Sequence, residues 1–277
     1  MEYIELTCHT TSGVHTSELL MDALGDVGFD SFTENEDGTI SAYIQSVLFT
    51  HELETRLKSS DFTSLLASFG IKKIADQNWN AIWESQYEPV LIDSICMVRA
   101  PFHEKVAGVE FDIVIMPKMS FGTAHHETTK QMIQYMLSLQ LKGKSLLDMG
   151  SGTAVLAILA RMKGAGPVSA IDNDEWAYNN ALENVQSNNF PEIEVLLGDC
   201  ALLNGKKYDV IFANINRNIL LNDIPAYRQS LNEGGKLFVS GFYSEDLPII
   251  ESKANEVGLT FMSNRVENNW IAACFTL

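Results

Sequence analysis

The residues able to do chemistry in this chain gather around one stretch, Ser145-Leu146-Leu147-Asp148-Met149-Gly150-Ser151-Gly152-Thr153-Ala154-Val155-Leu156. It reads as a buried strand, a Gly-x-Gly turn and an apolar helix over 155–162, the first half of a nucleotide-binding βαβ unit. A Cβ at Gly150 or Gly152 would hold the backbone away from a ligand and oppose a positive φ. The free N–H groups of the following helix would face the same ligand. Val168-Ser169-Ala170-Ile171-Asp172 is a second strand, ending in a carboxylate 22 residues after Gly150. An acid there can accept both hydroxyls of a ribose. Val155 occupies the place of the third glycine of G-x-G-x-x-G, and a pyrophosphate needs the close helix approach that this glycine allows. NAD is therefore disfavoured. A ligand with ribose and adenine but no phosphates, S-adenosyl-L-methionine (SAM), fits better; an ordinary α/β turn that binds nothing is the competing reading.

The neighbouring elements decide what else reaches such a ligand. Residues 194–197 read as a strand ending at Gly198-Asp199. Residues 208–215 are apolar almost to Asn214, the mark of a central parallel strand buried on both faces. In open α/β sheets ligands lie beyond the carboxyl ends of strands, and Asp148, Asp172, Asp199 and Asn214 all fall at or near such ends. A helix over 174–187, a fifth strand over 235–240, a helix around 247–257 and a closing hairpin of 260–265 with 270–275 complete the alternation.

Ahead of an amphipathic helix with Met132, Ile133, Met136 and Leu137 stands Phe121-Gly122-Thr123-Ala124-His125-His126-Glu127-Thr128-Thr129. Its small and hydroxyl residues can cap the helix and present donors to a ligand. Adjacent histidines do not face one site in regular structure and no third ligand stands at metal spacing, so no metal is expected. Strands over 90–99 and 110–116 are expected to pair antiparallel around Ala107-Gly108.

Residues 1–75 read as a separate βαββαβ unit of ferredoxin-like order. Ile4, Leu6 and Cys8 alternate on one side of a first strand, and 17–27 is helical. Strands over 29–33 and 39–44 flank the turn Glu36-Asp37-Gly38; a broken helix from His51 and a strand at 71–74 follow. Nothing in this unit looks catalytic. Trp79, Ile82 and Trp83 at helical spacing mark a linker helix that ends before Pro89.

Composition agrees with one large and one small domain: 277 residues, of which 46% are hydrophobic, with no apolar run near the ~20 residues of a membrane span. Met1-Glu2-Tyr3-Ile4 carries no basic region before an apolar stretch, and Cys8, Cys96, Cys200 and Cys274 form no CxxC. A cytoplasmic protein with reduced thiols is expected. A net charge of −17 disfavours direct nucleic-acid binding and suits a basic protein partner, although on charge alone simple solubility is the better explanation.

Three motifs resemble one family. The 121–129 loop is similar to an F-G-T-G-x-H-x-T-T loop, Asp148-Met149-Gly150-Ser151-Gly152-Thr153 to a SAM glycine loop, and Ala213-Asn214-Ile215 to an A-N-I motif. All belong to the bacterial ribosomal protein L-eleven methyltransferases, and the resemblance covers essentially the whole chain. It implies a class I, Rossmann-like α/β domain over 89–277, with a mostly parallel seven-stranded sheet closed by an antiparallel hairpin. It also implies a ferredoxin-like substrate-recognition domain over 1–75 and an interdomain helix over 76–88. It implies SAM contacts at Thr129, Gly150, Asp172 and Asn214, and acceptors that are lysine side chains and the N-terminal amine of a basic large-subunit ribosomal protein. Ala124 replaces a family glycine, so the loop loses some freedom there, and Ala154 stands where a glycine is frequent.

Methyl transfer from a sulfonium needs a positioned, neutral amine more than a base. Asn214 and the Asn214-Ile215 backbone are expected to orient that amine, Asp172 to hold the ribose, and Asp199 or its neighbour to read the adenine edge. Asp148, Gly150 and Gly152 would line the cofactor, and Phe121 and Thr123, within a 121–129 lid, would cover its methionine end. A glutamine or nucleobase N-methyltransferase would share the fold, but Asn214-Ile215-Asn216-Arg217 is not their Asn-Pro-Pro-Tyr. A non-catalytic adaptor and an NAD oxidoreductase stand behind it.

Overall fold

The structure, a computed structural model, describes residues 2–11, 16–35, 37–74, 87–118 and 120–277. Trp79, Ile82, Trp83 and the expected 76–88 helix, except for its last two residues, lie outside the described residues. The chain divides into two units, Met1–Gln86 and Tyr87–Leu277.

In the first unit, β1 (Tyr3–Thr10) turns Ile4, Leu6 and Cys8 into a core, as their alternation requires. α1 (Thr16–Gly25) contributes Leu20 and Leu24 to that core, and α2 (His51–Leu57) contributes Leu53 and Leu57. Thr50 starts α2 by accepting a hydrogen bond from Leu53 N at 3.2 Å. β2 (Ser31–Glu34), β3 (Ile40–Gln45), a short α3 (Ser60–Thr63) and β4 (Leu66–Ile74) complete the unit. The sheet order is β2-β3-β1-β4, and every neighbouring pair is antiparallel. β4 begins at Leu66 rather than Ile71, because β1 pairs backward along it, Cys8 with Phe69 and Thr10 with Leu66.

The second unit opens with a small sheet of β5 (Val90–Ile92), β6 (Cys96–Arg99) and β7 (Phe111–Val114). The antiparallel expectation needs correction here. β5 and β6 form an antiparallel hairpin through Asp93 and Ser94, at φ 50° and 57°, but β6 and β7 run parallel. Residues 100–110 cross back to the start of β6, where the N–H groups of Glu110 and Phe111 both donate to Ile95 O at 3.0 Å. Arg99 fixes this register: its guanidinium donates to both Asp112 carboxylate oxygens, at 2.7 and 3.0 Å, and to His103 O at 2.9 Å.

Helix and strand then alternate. In order come α4 (Glu127–Ser138), β8 (Leu146–Met149), α5 (Val155–Met162), β9 (Val168–Asp172), α6 (Glu175–Ser187) and β10 (Glu194–Leu197). β11 (Tyr208–Asn214), α7 (Arg217–Ser230), β12 (Leu231–Tyr243), α8 (Leu247–Glu256), β13 (Thr260–Glu267) and β14 (Trp270–Thr276) follow. The seven-stranded sheet has the order β10-β9-β8-β11-β12-β14-β13. Neighbours are parallel from β10 to β12, and β14 is antiparallel to both β12 and β13, the expected closing hairpin. Val210, Ile211, Phe212 and Ala213 of β11 are all buried, with apolar cores on both faces, as a central strand demands. α7 has no counterpart in the sequence reading. Pro225 in its interior disguises it, while Asn216 caps it by accepting from Ile219 N at 3.1 Å. Strand order reverses between β8 and β11, so their carboxyl ends open a crevice.

Candidate active site

The glycine turn is built by contacts as much as by conformation. Gly150 sits at φ +68°, and a Cβ there would lie 2.1 Å from Ile215 Cγ2. Gly152 sits at φ +52°, and its Cβ would lie 2.1 Å from Phe121 O. The turn is pinned where Gly150 N and Ser151 N donate to Ile171 O, at 2.8 and 3.1 Å. Gly152 N donates to Asp172 Oδ2 at 2.8 Å, and Asp174 N to Asp172 Oδ1 at 3.0 Å, so the β9 carboxylate is held on both oxygens. Ala154 and Ala124 both adopt left-handed backbone, φ 62° and 67°, at positions glycine would occupy without strain.

Two clefts flank this turn. Asp172, Asn173, Asp199, Cys200, Ile219 and Asp223 line the first, together with Met149, Gly150, Gly198 and Ile215. Phe121, His126, Thr128, Asn214, Asn216, Gly241 and Trp270 line the second, again with Ile215. Ile215 is thus the shared wall. Its N–H donates to Ser240 O at 3.1 Å, and its carbonyl lies where a Cβ on Gly241 would come within 2.2 Å. Beside it, Asn214 Nδ2 reaches Thr129 Oγ1 at 3.4 Å, while Asn214 Oδ1 is buried without a hydrogen-bond partner. A buried amide oxygen left unpaired is costly, which makes it a ready acceptor for an incoming N–H.

The 121–129 loop closes against the turn through backbone. Phe121 O accepts from Thr153 N at 2.9 Å and Gly122 O from Thr153 Oγ1 at 2.6 Å. His126 caps α4, its Nδ1 accepting from Thr128 N at 3.3 Å, and its ring packs 4.7 Å from Trp270 and 5.3 Å from Phe121. Tyr243 also packs on Trp270, with ring centroids 4.2 Å apart and the planes tilted by 36°. The adjacent histidines face different partners, as expected: His125 Nε2 donates to Glu88 O at 2.9 Å and its Nδ1 meets Thr123 Oγ1 at 3.0 Å. His103 accepts from Ala100 N at Nδ1, so its Nε2 carries the proton donated to Tyr87 O at 2.5 Å.

Of the candidates chosen from sequence, the structure brings Gly150, Asp172, Asp199 and Ile215 to the first cleft, and Phe121, Asn214 and Ile215 to the second. Thr129 is buried and accepts from Asn214 Nδ2. Four candidates, Thr129 among them, line neither cleft. Asp148 is buried under α5, where its Oδ2 accepts from Ala157 N at 3.1 Å, and burial pushes its pKa up to about 8. Gly152 is covered by Phe121 O, and Thr123 turns to His125. The sequence reading lacked Asp223, hidden in the unread helix α7, and Trp270, whose place at the second cleft depends on β14 lying two strands from β11.

The donor set tests what this crevice can hold. Its first cleft carries Asp172, Asp199 and Asp223 and, among the described residues lining it, no Lys or Arg. Hydroxyls and amines suit those acceptors; a pyrophosphate would meet three carboxylates. The residues present fit SAM, and the fold and site define a class I SAM-dependent methyltransferase. Comparison with known proteins narrows this. The family model described as ribosomal protein L11 methyltransferase matches residues 5–276. Proteins of that name from Phocaeicola vulgatus and Bacteroides fragilis are 45% and 44% identical over 281 residues, each spanning 100% of both chains. The solved ribosomal protein L11 methylase of Lactobacillus delbrueckii subsp. bulgaricus superposes with a TM-score of 0.64 at 27% identity, covering 68% of this chain and 98% of that one. The chain belongs to the ribosomal protein L11 methyltransferase family.

Proposed function

We propose that this chain transfers methyl groups from SAM to lysine side-chain and N-terminal amines of ribosomal protein L11. The observation that carries the reading is the unpartnered Asn214 Oδ1, buried where the two clefts meet at Ile215. When bound, SAM supplies a methyl carbon already activated by its sulfonium. The protein's part is to hold both reactants in line and present a neutral amine.

Asp172, with its carboxylate fixed by Gly152 N and Asp174 N, keeps lone pairs for ribose hydroxyls. Asp199, whose Oδ1 caps the turn at Cys200–Leu203 by accepting from Ala201 N at 2.8 Å, holds the base end. Gly150 lets that wall approach, and Thr129 fixes the Asn214 amide. Phe121 and the 121–129 loop cover the methionine end. On the second side an amine enters past Phe121, His126 and Trp270. A lysine with pKa near ~10.4 arrives protonated, and loss of hydration on entering the cleft disfavours its charge. The proton leaves to water as the amine settles, and Asn214 Oδ1 accepts one remaining N–H, aiming the nitrogen lone pair. Held this way, the amine would face the activated methyl group that bound SAM would supply.

The division of the chain between Gln86 and Tyr87 supports a recognition domain over 1–75, a linker over 76–88 and a catalytic domain over 89–277. The β2-β3-β1-β4 order supports reading the first as ferredoxin-like. The net charge of −17 is compatible with a basic protein acceptor and disfavours bare nucleic acid. Among the described residues no helix is long and apolar enough to cross a membrane.

The test is methyl transfer from labelled SAM to purified ribosomal proteins. Label should appear on L11, and Asn214→Ala should lower the rate roughly 100-fold. Label on no ribosomal protein would overturn the acceptor and favour the adaptor reading; an undiminished Asn214→Ala rate would overturn the role given to that side chain.

A further inference from the structure

The first two residues of the second unit are held by imidazoles. His103 Nε2 donates to Tyr87 O at 2.5 Å, and His125 Nε2 to Glu88 O at 2.9 Å. The Tyr87 ring lies 4.8 Å from that of His125 and 6.2 Å from that of Phe102. A carbonyl oxygen only accepts, so His125 carries its proton on Nε2 and leaves Nδ1 as an acceptor. The Thr123 hydroxyl therefore donates to that Nδ1 at 3.0 Å, and it also hydrogen-bonds the Tyr87 side chain. Thr123, His125 and Tyr87 line neither cleft. Their contacts fasten the 121–129 loop to residues 87–88 instead.

The same loop is fastened to the cofactor turn. Thr153 donates to the carbonyls of Phe121 and Gly122, and Phe121 O sits where a Cβ on Gly152 would fall. Beside both anchors Ala124 is buried at φ 67°, a left-handed conformation that its Cβ opposes. Strain of this kind persists only where the surroundings over-determine it, so the loop keeps its shape while both anchors hold. A ligand resting on the glycine turn and against Phe121 steadies one anchor and, through the loop, the other. We propose that Thr123 and His125 are positioning residues that couple the cofactor site to residues 87–88, so that cofactor binding orders this junction and an ordered junction tightens cofactor binding. The coupling is reciprocal by linkage. It rests on the reading that the 121–129 loop covers bound SAM.

The experiment is hydrogen exchange of the full-length protein with and without S-adenosylhomocysteine, read by mass spectrometry, beside calorimetric titration with the same ligand. In wild type the ligand should slow exchange roughly fivefold or more in the peptide containing Tyr87 and Glu88, as well as across 121–129. Thr123→Val keeps the shape and removes the hydroxyl. It should abolish the slowing at 87–88 and weaken binding about fivefold, and Thr123→Ser should restore both. Tyr87→Phe, at a side chain outside both clefts, should have the same two effects, and the double variant should bind little worse than either single one. If the valine variant fails to fold, Tyr87→Phe carries the test. Unchanged exchange at 87–88 in wild type that binds the ligand overturns the inference and leaves the cofactor assignment intact. Slowing that survives both substitutions, or additive losses in the double variant, overturns it equally. Failure of wild type to bind S-adenosylhomocysteine at all overturns the cofactor assignment, and this inference with it.

Discussion

Asp148→Asn tests whether the carboxyl under α5 is a structural acid rather than a cofactor ligand. Complete burial raises the Asp148 pKa from 3.8 to about 8, opposed by the hydrogen bond from Ala157 N and aided by the nearby charge of Asp172. Below the unfolded value both states hold the proton, and nothing is lost. Between 3.8 and about 8 the unfolded chain ionises while the folded chain does not, so the native state binds more protons and stability falls as pH rises. Each unit costs about 1.4 kcal/mol, so the step from pH 5 to pH 7 removes about 3 kcal/mol from wild type. Asparagine keeps an oxygen for Ala157 N but cannot ionise. Its own packing differences shift stability by a constant, whereas the gap between variant and wild type should widen by about 3 kcal/mol over that interval. In a unit of this size that is roughly 6–12 °C in the thermal midpoint. Scanning calorimetry of both proteins at pH 5, 6 and 7 reads it directly. A gap that stays flat across the series would refute the claim that this acid is protonated in the native state.

Three further outcomes follow from the same contacts. Gly152→Ala places a Cβ 2.1 Å from the Phe121 carbonyl, at φ +52°, where two backbones must separate; it should cost ~2–4 kcal/mol in thermal stability and weaken SAM binding, and an unchanged midpoint would contradict the contact. Arg99→Ala leaves Asp112, 13% exposed, without its bidentate partner, and should destabilise the second unit by ~3 kcal/mol in denaturant titrations, with Asp112→Asn milder. The Cys200 thiol, pushed up to about 11 by burial and then by Asp223 and Asp199, should alkylate slowly at pH 7.5. Asp223→Asn lowers that pKa and so raises the thiolate fraction, giving faster alkylation that S-adenosylhomocysteine suppresses; equal rates with and without Asp223 would remove the carboxylate from the thiol's surroundings.

The glycine turn and the strands beside it were legible because their signals are local. The four-residue strand over Glu194–Leu197 lies where the sequence pattern puts it, and β11 is the central strand its apolar run demanded. The ends of those strands carry Asp172, Asp199 and Asn214 into the clefts by register alone. The parallel pairing of β6 with β7 was not legible, since four-residue strands carry no information about direction. That pairing depends on Arg99 with Asp112 and on Asn188, which donates to Val114 O and accepts from Val114 N across 74 residues of sequence. Asp223 and Trp270 reach the clefts only through a helix that Pro225 disguises and a hairpin that closes the sheet.

Asp148 marks the boundary between the two kinds of information. The sequence by itself determined that it ends a strand before a glycine turn, because backbone period and turn conformation are properties of neighbouring residues. Which face of the strand α5 would cover was decided by tertiary packing, and with it whether the carboxyl meets a ligand or an apolar interior. Ionisation follows hydration, and hydration belongs to the assembled fold.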